Sequence, residues 1–455
     1  NRDAVEQIVN TANVDLSIYA KVGDIDGGTA DKTTITGGYG QDTLYLYNVA
    51  SGDTTAVLAG AADSIVRVDK IVILDGTAGN DVTITTGDYA LTTALGAVLP
   101  LTIDGSAMGA TEVLTVTGTG ATAKLNIIGG DASDDFTGGN AADTISGGAG
   151  NDTIDANAGA GNVIDGGAGN DEITLGDGVD NISGGAGNDT ITAEAPGTQL
   201  KLNDTIDGGD GTDTLTITGG NITSATVFGG VSGIEVIKPT DGSDITAAGS
   251  LGGATTFDLS ANDKNELTLG STGWTSDTTV TFGVAADTGT NDDVVTNSAN
   301  VTLTVNSRDD DIESDTTLTG GTGTDTLNLT ATGGSANLAA VTNFEQVNVV
   351  DATVAGTDIT ITPNLTTTKV QNISATELDG STQNDEQLTL SGAGAAGKLN
   401  VTGGGGNDAL TGGNANDTLV GGAGEDAING NAGADNLSGG DANDTFTVDT
   451  KAEYT

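Results

Sequence analysis

The residues with the clearest chemical content are aspartates that recur at one place in a short unit of nine residues, Gly-Gly-x-Gly-x-Asp-x-U-x, with U a large apolar residue. One tandem array runs from Gly129 to Thr192: GGDASDDFT, GGNAADTIS, GGAGNDTID, the ten-residue row ANAGAGNVID, GGAGNDEIT, LGDGVDNIS and GGAGNDTIT. A second runs from Gly403 to Thr447: GGGGNDALT, GGNANDTLV, GGAGEDAIN, GNAGADNLS and GGDANDTFT. Three copies stand apart, GGYGQDTLY from Gly37, GGDGTDTLT from Gly208 and GGTGTDTLN from Gly320. Glycine permits positive φ and lets carbonyl oxygens approach an ion closely, and the aspartate adds a carboxylate. Such a turn is an oxygen cage for a hard cation.

The elements that hold these turns follow from the rest of the unit. The x-U-x triplet is a short strand with U pointing inward, because side chains alternate across a strand. The inward residues are Phe136, Ile145, Ile154, Ile164, Ile173, Ile182 and Ile191, then Leu410, Leu419, Ile428, Leu437 and Phe446. Burying one such side chain per row contributes ~1.5–3 kcal/mol, whereas ordering a residue's backbone costs ~1–2 kcal/mol. Nine ordered residues per row therefore need a further source of stability, and bound ions are expected to make up much of the difference.

Composition narrows the chemistry. Of 455 residues, 64 are acidic and 13 basic, for a formal charge of −51, which disfavours nucleic acid and anionic lipid and favours multivalent cations. There is no Cys and no His, so thiolate and imidazole ligands are absent and oxygen ligands remain, which points to Ca2+ ahead of zinc. Phe, Tyr and Trp are too few for an ordinary aromatic-rich core, yet the periodicity argues against disorder. No apolar run approaches the ~20 residues of a membrane-spanning helix, so no membrane insertion is expected.

Between the motifs the chain reads LTVTG, VTLTV and ITIT, bounded by Gly, Asn and Asp, which signals short strands and tight turns. The stretch EVLTVTGTGATAKLNIIGG from Glu112 matches EQLTLSGAGAAGKLNVTGG from Glu386, so one lead-in feeds both arrays. Strand-like segments VDKIVIL, GIEVIK and NFEQVNVV follow the single copies. The expected organisation is a lead-in over 1–36, a module over 37–207 with its array at 129–192, a degenerate module over 208–319, and a module over 320–455 with its array at 403–447. Val5, Ile8, Val9 and Ala12 have helical spacing and suggest the tail of an upstream helix. The absence of an initial Met suggests a fragment of a longer polypeptide.

On these residues the sequence resembles the RTX (hemolysin-type calcium-binding) repeat proteins. The pairing of GGxGxDTLxL with a later GIE-x-V or NFEQV strand resembles the RTX surface-layer proteins of Gram-negative bacteria, of the Caulobacter type. The resemblance implies an all-β fold of calcium-bound parallel β-roll arrays, alternating with β-sandwich-like or β-helix-like strand modules in an elongated molecule. It implies structural calcium, type I secretion and folding outside the cell. Carried onto this chain, the ion-binding carboxylates are Asp134, Asp143, Asp152, Asp171, Asp180 and Asp189, then Asp408, Asp417, Asp426, Asp435 and Asp444, with Asp42, Asp213 and Asp325 in the isolated copies. The glycines that would offer carbonyls are Gly148, Gly150, Gly167, Gly169, Gly185, Gly187, Gly404, Gly406, Gly422 and Gly424. Asn162 takes the aspartate position in the ten-residue row, which should weaken the adjoining site. Ala132, Ala141, Ala415 and Ala442 replace the fourth-position glycine, tolerable where φ stays negative.

Other readings are weaker. A phosphate-binding loop needs a following helix and usually a Lys, and these loops lead into strands. The acidic run from Arg308 to Asp315 and the pair Asp292–Asp293 read as solvated loops or extra calcium sites, the former being the expectation. Trp274 reads as a packing residue. The expected function is a structural, self-assembling surface-layer protein without enzymatic activity, whose partners are copies of itself, with any cell-surface polysaccharide met through another domain. An RTX adhesin or matrix fibre is the alternative, and an accessory module of a secreted polysaccharide-modifying enzyme a third.

Overall fold

The computed structural model describes residues 6–10, 12, 14–21, 33–47, 55–57, 65–74, 81–86, 91–92, 98–194, 199–201, 203–220, 229–240, 245–247, 254–259, 266–269, 277–282, 293–299, 301–312, 316–350, 358–367, 369–378 and 386–447. Trp274, Asp292 and residues 313–315 lie outside them. The chain forms two compact units, residues 1–219 with 226–236, and residues 220–225 with 237–455.

The described chain is all-β, with short 3-10 turns such as Asp309–Asp311 and Leu338–Ala340 among its strands. In the first unit one sheet takes, in order, Ser17–Lys21, Thr43–Tyr47, Lys70–Leu74, Leu101–Asp104, Leu125–Ile128, Thr144–Ala149, Val163–Ala168, Asn181–Ala186, Thr205–Asp210 and Val231–Ser232. Facing rows Thr55–Val57, Val82–Thr85, Leu114–Thr117, Asp135–Thr137, Thr153–Asp155, Glu172–Thr174, Thr190–Glu194 and Thr214–Thr218 make the second sheet. Successive rows alternate between the sheets, so every strand pairs in parallel with the strand one full turn away, as Ile145 with Ile164 and Ile164 with Ile182. The second unit repeats the scheme. Leu388–Ser391, Ala409–Thr411, Ala427–Asn429 and Thr445–Thr447 stack in one sheet, and Leu399–Thr402, Thr418–Ala423 and Asn436–Asp441 in another.

The period-2 pattern of LTVT or TLYLY places every second residue inside, and strand burial alternates accordingly. Phe136, Ile154, Ile173 and Ile191 form one buried file and Ile145, Ile164 and Ile182 another in the facing sheet, and Leu410, Leu419 and Ile428 are likewise buried. Leu437 is only half-buried and Phe446 is 44% exposed, contrary to the inward reading of these last two rows.

Three further differences from the sequence reading have plain causes. Within the second unit the described strands ahead of its array also pair in parallel one turn apart, so of the two forms expected there the β-helix-like one holds; in the first unit Val98–Leu99 pairs antiparallel with Leu91–Thr92. Glu6–Val9 is a strand paired in parallel with Thr33–Thr36 and not a helical tail, because an exposed edge outweighs a weak helical spacing. The copy from Gly208 is not isolated. Gly185 pairs with Gly209, since residues 199–207 supply the missing intervening row after a short insertion, and the first array runs on through Thr218.

Candidate metal centre

Each motif aspartate lies at the bend between two sheets, and bends of alternate rows stack on one edge. Along the edge that carries Asp134, a ladder runs through the carboxylates. The Leu114 N–H donates to Asp134 Oδ1 at 2.7 Å, Asp134 N–H to Asp152 Oδ1 at 2.7 Å, Asp152 N–H to Asp171 Oδ1, Asp171 N–H to Asp189 Oδ1 and Asp189 N–H to Asp213 Oδ1, each at 2.8 Å. On the other edge the rungs are Leu125 to Asp143, Asp143 to Asn162, Asn162 to Asp180 and Asp180 to Asp204. In the second unit they are Leu388 to Asp408, Asp408 to Asp426 and Asp426 to Asp444, opposite Leu399 to Asp417 and Asp417 to Asp435.

The fifth position of the repeat builds a second ladder in the opposite sense. Asn170 N–H donates to Asn151 Oδ1, Asn188 N–H to Asn170 Oδ1 and Thr212 N–H to Asn188 Oδ1. The Asn-Asp dipeptide of GGAGND thus locks each turn to both neighbours.

The second carboxylate oxygen divides the sites. In Asp42, Asp134, Asp143, Asp408 and Asp417, Oδ2 accepts the N–H of the second glycine of its own loop, at 2.6–2.8 Å. Both oxygens of these five are met by the protein. In Asp152, Asp171, Asp180, Asp189, Asp213, Asp325, Asp426 and Asp435, Oδ2 is buried and has no hydrogen-bond partner. A buried carboxylate oxygen left unmet is costly, and a cation removes that cost.

Within the two arrays backbone conformation follows the same division, whereas Gly321 and Gly323 beside Asp325 do not take positive φ. Gly148, Gly150, Gly167, Gly169, Gly185, Gly187, Gly422 and Gly424 have φ between 108° and 134°, in rows with unmet carboxylates. Gly404 and Gly406, grouped with them from the sequence, do not take positive φ, and the Gly404 N–H is spent on Asp408. The alanines at the fourth position avoid positive φ as expected, except Ala442 at 80°.

A Cβ added at Gly147 would collide with both Asp152 Oδ2 and the Gly166 carbonyl oxygen of the next turn. The same holds at Gly166 for Asp171 and Gly184, and at Gly184 for Asp189 and Gly208. Each first glycine therefore borders a cradle made of one carboxylate oxygen and one carbonyl oxygen, the donor set that calcium takes. Among the described residues no three acidic side chains converge, so the cradles draw on the main chain for further oxygens.

Electrostatics agree. Burial, with help from the Asp171 and Asp134 charges, pushes the Asp152 carboxyl up to about 7. Burial and the Asp189 and Asp165 charges push Asp171 to about 6, and burial and Asp426 push Asp408 to about 6. Asp189, Asp213 and Asp325 are raised, chiefly by burial.

Several site residues escaped the sequence reading. Asp204 takes the aspartate place in the row QLKLNDTID, where no glycine marks it. Asp69, Glu235 and Glu345 accept the N–H of Asp42, Asp213 and Asp325 respectively, each at 2.8 Å. These acids explain why VDKIV, GIEVI and NFEQV follow the motif: each supplies the next rung. In the acidic run, Asp309 is buried and not solvated, accepting from Thr332 and from the Gly334 N–H. Asp311 is pushed up to about 6 by burial, Asp310 and Asp293.

The RTX calcium-binding nonapeptide repeat (4 copies) matches residues 128–163, 159–191, 203–221, 400–428 and 411–446, which cover both arrays and the copy from Gly208. Comparison with curated proteins gives no match to the chain. The stacked loops of both units are RTX repeats, and the ions they bind are calcium, in several copies.

Proposed function

We propose that the chain is a structural, calcium-dependent, self-assembling surface-layer protein of a bacterial cell, without enzymatic activity. The carrying observation is the run of buried carboxylate oxygens without a protein partner in consecutive turns, Asp152, Asp171, Asp189 and Asp213. Oxygen-ligand sites of extracellular modules have dissociation constants of ~0.1–1 mM, empty at cytosolic calcium and filled outside. Secretion in an unfolded state through a type I channel, with folding on exit, fits that difference. The charge of −51 makes copies repel until divalent ions neutralise it, so the same ion governs folding and association. The lead-in shared by Glu112 and Glu386 and the closing acids Glu235 and Glu345 support the surface-layer reading through module style.

Electron microscopy of the purified chain in calcium tests this. A two-dimensional sheet is expected. A fibre would indicate a matrix subunit, and monomers at all calcium concentrations would indicate an adhesin stalk or an accessory module and overturn the proposal.

A further inference from the structure

The two edges of the first roll are built from different residues. On the edge of Asp152, the first position of every row is glycine, Gly129, Gly147, Gly166, Gly184 and Gly208, whereas on the opposite edge only the first row, from Gly138, begins with one. Four consecutive carboxylates there, Asp152, Asp171, Asp189 and Asp213, are at most 2% exposed, with Oδ2 unmet. On the opposite edge, the residues following the paired strand positions Asp155, Thr174 and Thr192 are Ala156, Leu175 and Ala193, all fully buried. A side chain thus stands where the first edge has only hydrogen, at the wall of the cradle.

The oxygens on the opposite edge are also met. Asp143 Oδ2 accepts the Gly139 N–H, with Lys124 nearby. Asn162 is neutral, and its Nδ2 donates to the Gly159 carbonyl of its own loop. Asp204 Oδ2 accepts the Lys201 N–H, and the Lys201 charge acts on the same carboxylate. Asp180 alone keeps an unmet oxygen, in the row whose first glycine is replaced by Leu175.

We propose that calcium in the first roll lines one edge only, in the cradles of Asp152, Asp171, Asp189 and Asp213, while the opposite edge is closed by Asn162, Leu175 and the Lys201–Asp204 pair. This rests on the calcium reading of the repeats and adds which sites fill. One edge is then a calcium-gated seam and the other a permanent one.

The test is native mass spectrometry of the full chain in calcium. Asp152→Asn, Asp171→Asn and Asp189→Asn are each expected to lose at least one ion, and Asp180→Asn and Asp204→Asn none. Equal losses on both edges would overturn the proposal. A wild-type chain binding no calcium would instead overturn the underlying calcium reading. Anomalous diffraction from the wild-type chain locates the ions without any variant. Peaks beside Asp152, Asp171, Asp189 and Asp213 are expected, and a peak beside Asn162, Asp180 or Asp204 would refute the asymmetry.

Discussion

The two rolls use the same motif and lead-in, yet their inward residues differ in burial. In the first, every inward residue from Phe136 to Leu215 is buried to within about 1% of complete. In the second, Leu410, Leu419 and Ile428 are buried, Leu437 is half-buried and Phe446 is 44% exposed. The first roll has described turns on both sides; the last described row of the second has a neighbour on one side only. In a stack where each repeat touches only its neighbours, burial belongs to the pair and not to the row. The unmet carboxylates follow the same rule, four in succession on one edge of the first roll against Asp426 and Asp435 on separate edges of the second.

The largest expected effect is that of calcium removal on the first roll. With calcium at ~10 times the dissociation constant, each site adds about 1.4 kcal/mol, and four independent sites about 6 kcal/mol. That is comparable to a domain's stability of ~5–15 kcal/mol. Circular dichroism during a calcium titration should show a cooperative gain of β signal, with magnesium a poor substitute because it holds its water and demands small octahedral sites. Full β signal in excess chelator would make the ions incidental.

Next in size is the packing contrast. Ile173→Ala in the first roll is expected to cost ~2–5 kcal/mol by opening a cavity, and Phe446→Ala well under 1 kcal/mol, read from thermal melts in calcium. Equal costs would mean that the last row is covered by something else.

A subtler contrast sets Asp171 against Asp42. Asp171→Asn should destabilise in calcium but be neutral or stabilising in chelator, because it removes a buried charge and an amide there can bond as Asn162 does. Asp42→Asn should cost ~1–3 kcal/mol under both conditions, since both Asp42 oxygens are met by the protein. Melts of both variants with and without calcium check the reversal of sign.

The last contrast is between acidic and neutral pH. Asp152 and Asp171 titrate near 7 and near 6 when folded and ion-free, above the ordinary 3.8. The folded state then binds more protons than the unfolded between about pH 4 and 7. Ion-free stability is therefore full at the acidic end and lost as pH rises through 6 to 7. Calcium competes with those protons, so its affinity should rise over the same interval. A melting temperature in chelator that rises between pH 5 and 7.5 would contradict the burial of these carboxylates.

Much of this was legible in the sequence. The nine-residue period announced the coil, the U positions its core and the aspartates the cradles, because each depends on residue type at fixed spacing. What stayed hidden depends on the neighbouring turn. Gly404 and Gly422 occupy equivalent positions in rows of the same type, yet only Gly422 takes positive φ. Asp204 stands in a row without glycine, and Glu235 and Glu345 reach the ladder from the residue just ahead of strands that carry no motif. The insertion before residue 199 concealed that the row from Gly208 belongs to the first array.

The carboxylate ladder has a direction, since each turn's N–H is answered by the carboxylate of the turn that follows it in sequence. A finished turn is a template that waits for the next, and the loops of Asp134 and Asp143, complete without metal, make the natural seed. With the asparagine ladder answering in the opposite sense, a turn removed from the middle of the stack leaves unmet groups on both of its neighbours, so the array is interrupted and not merely shortened.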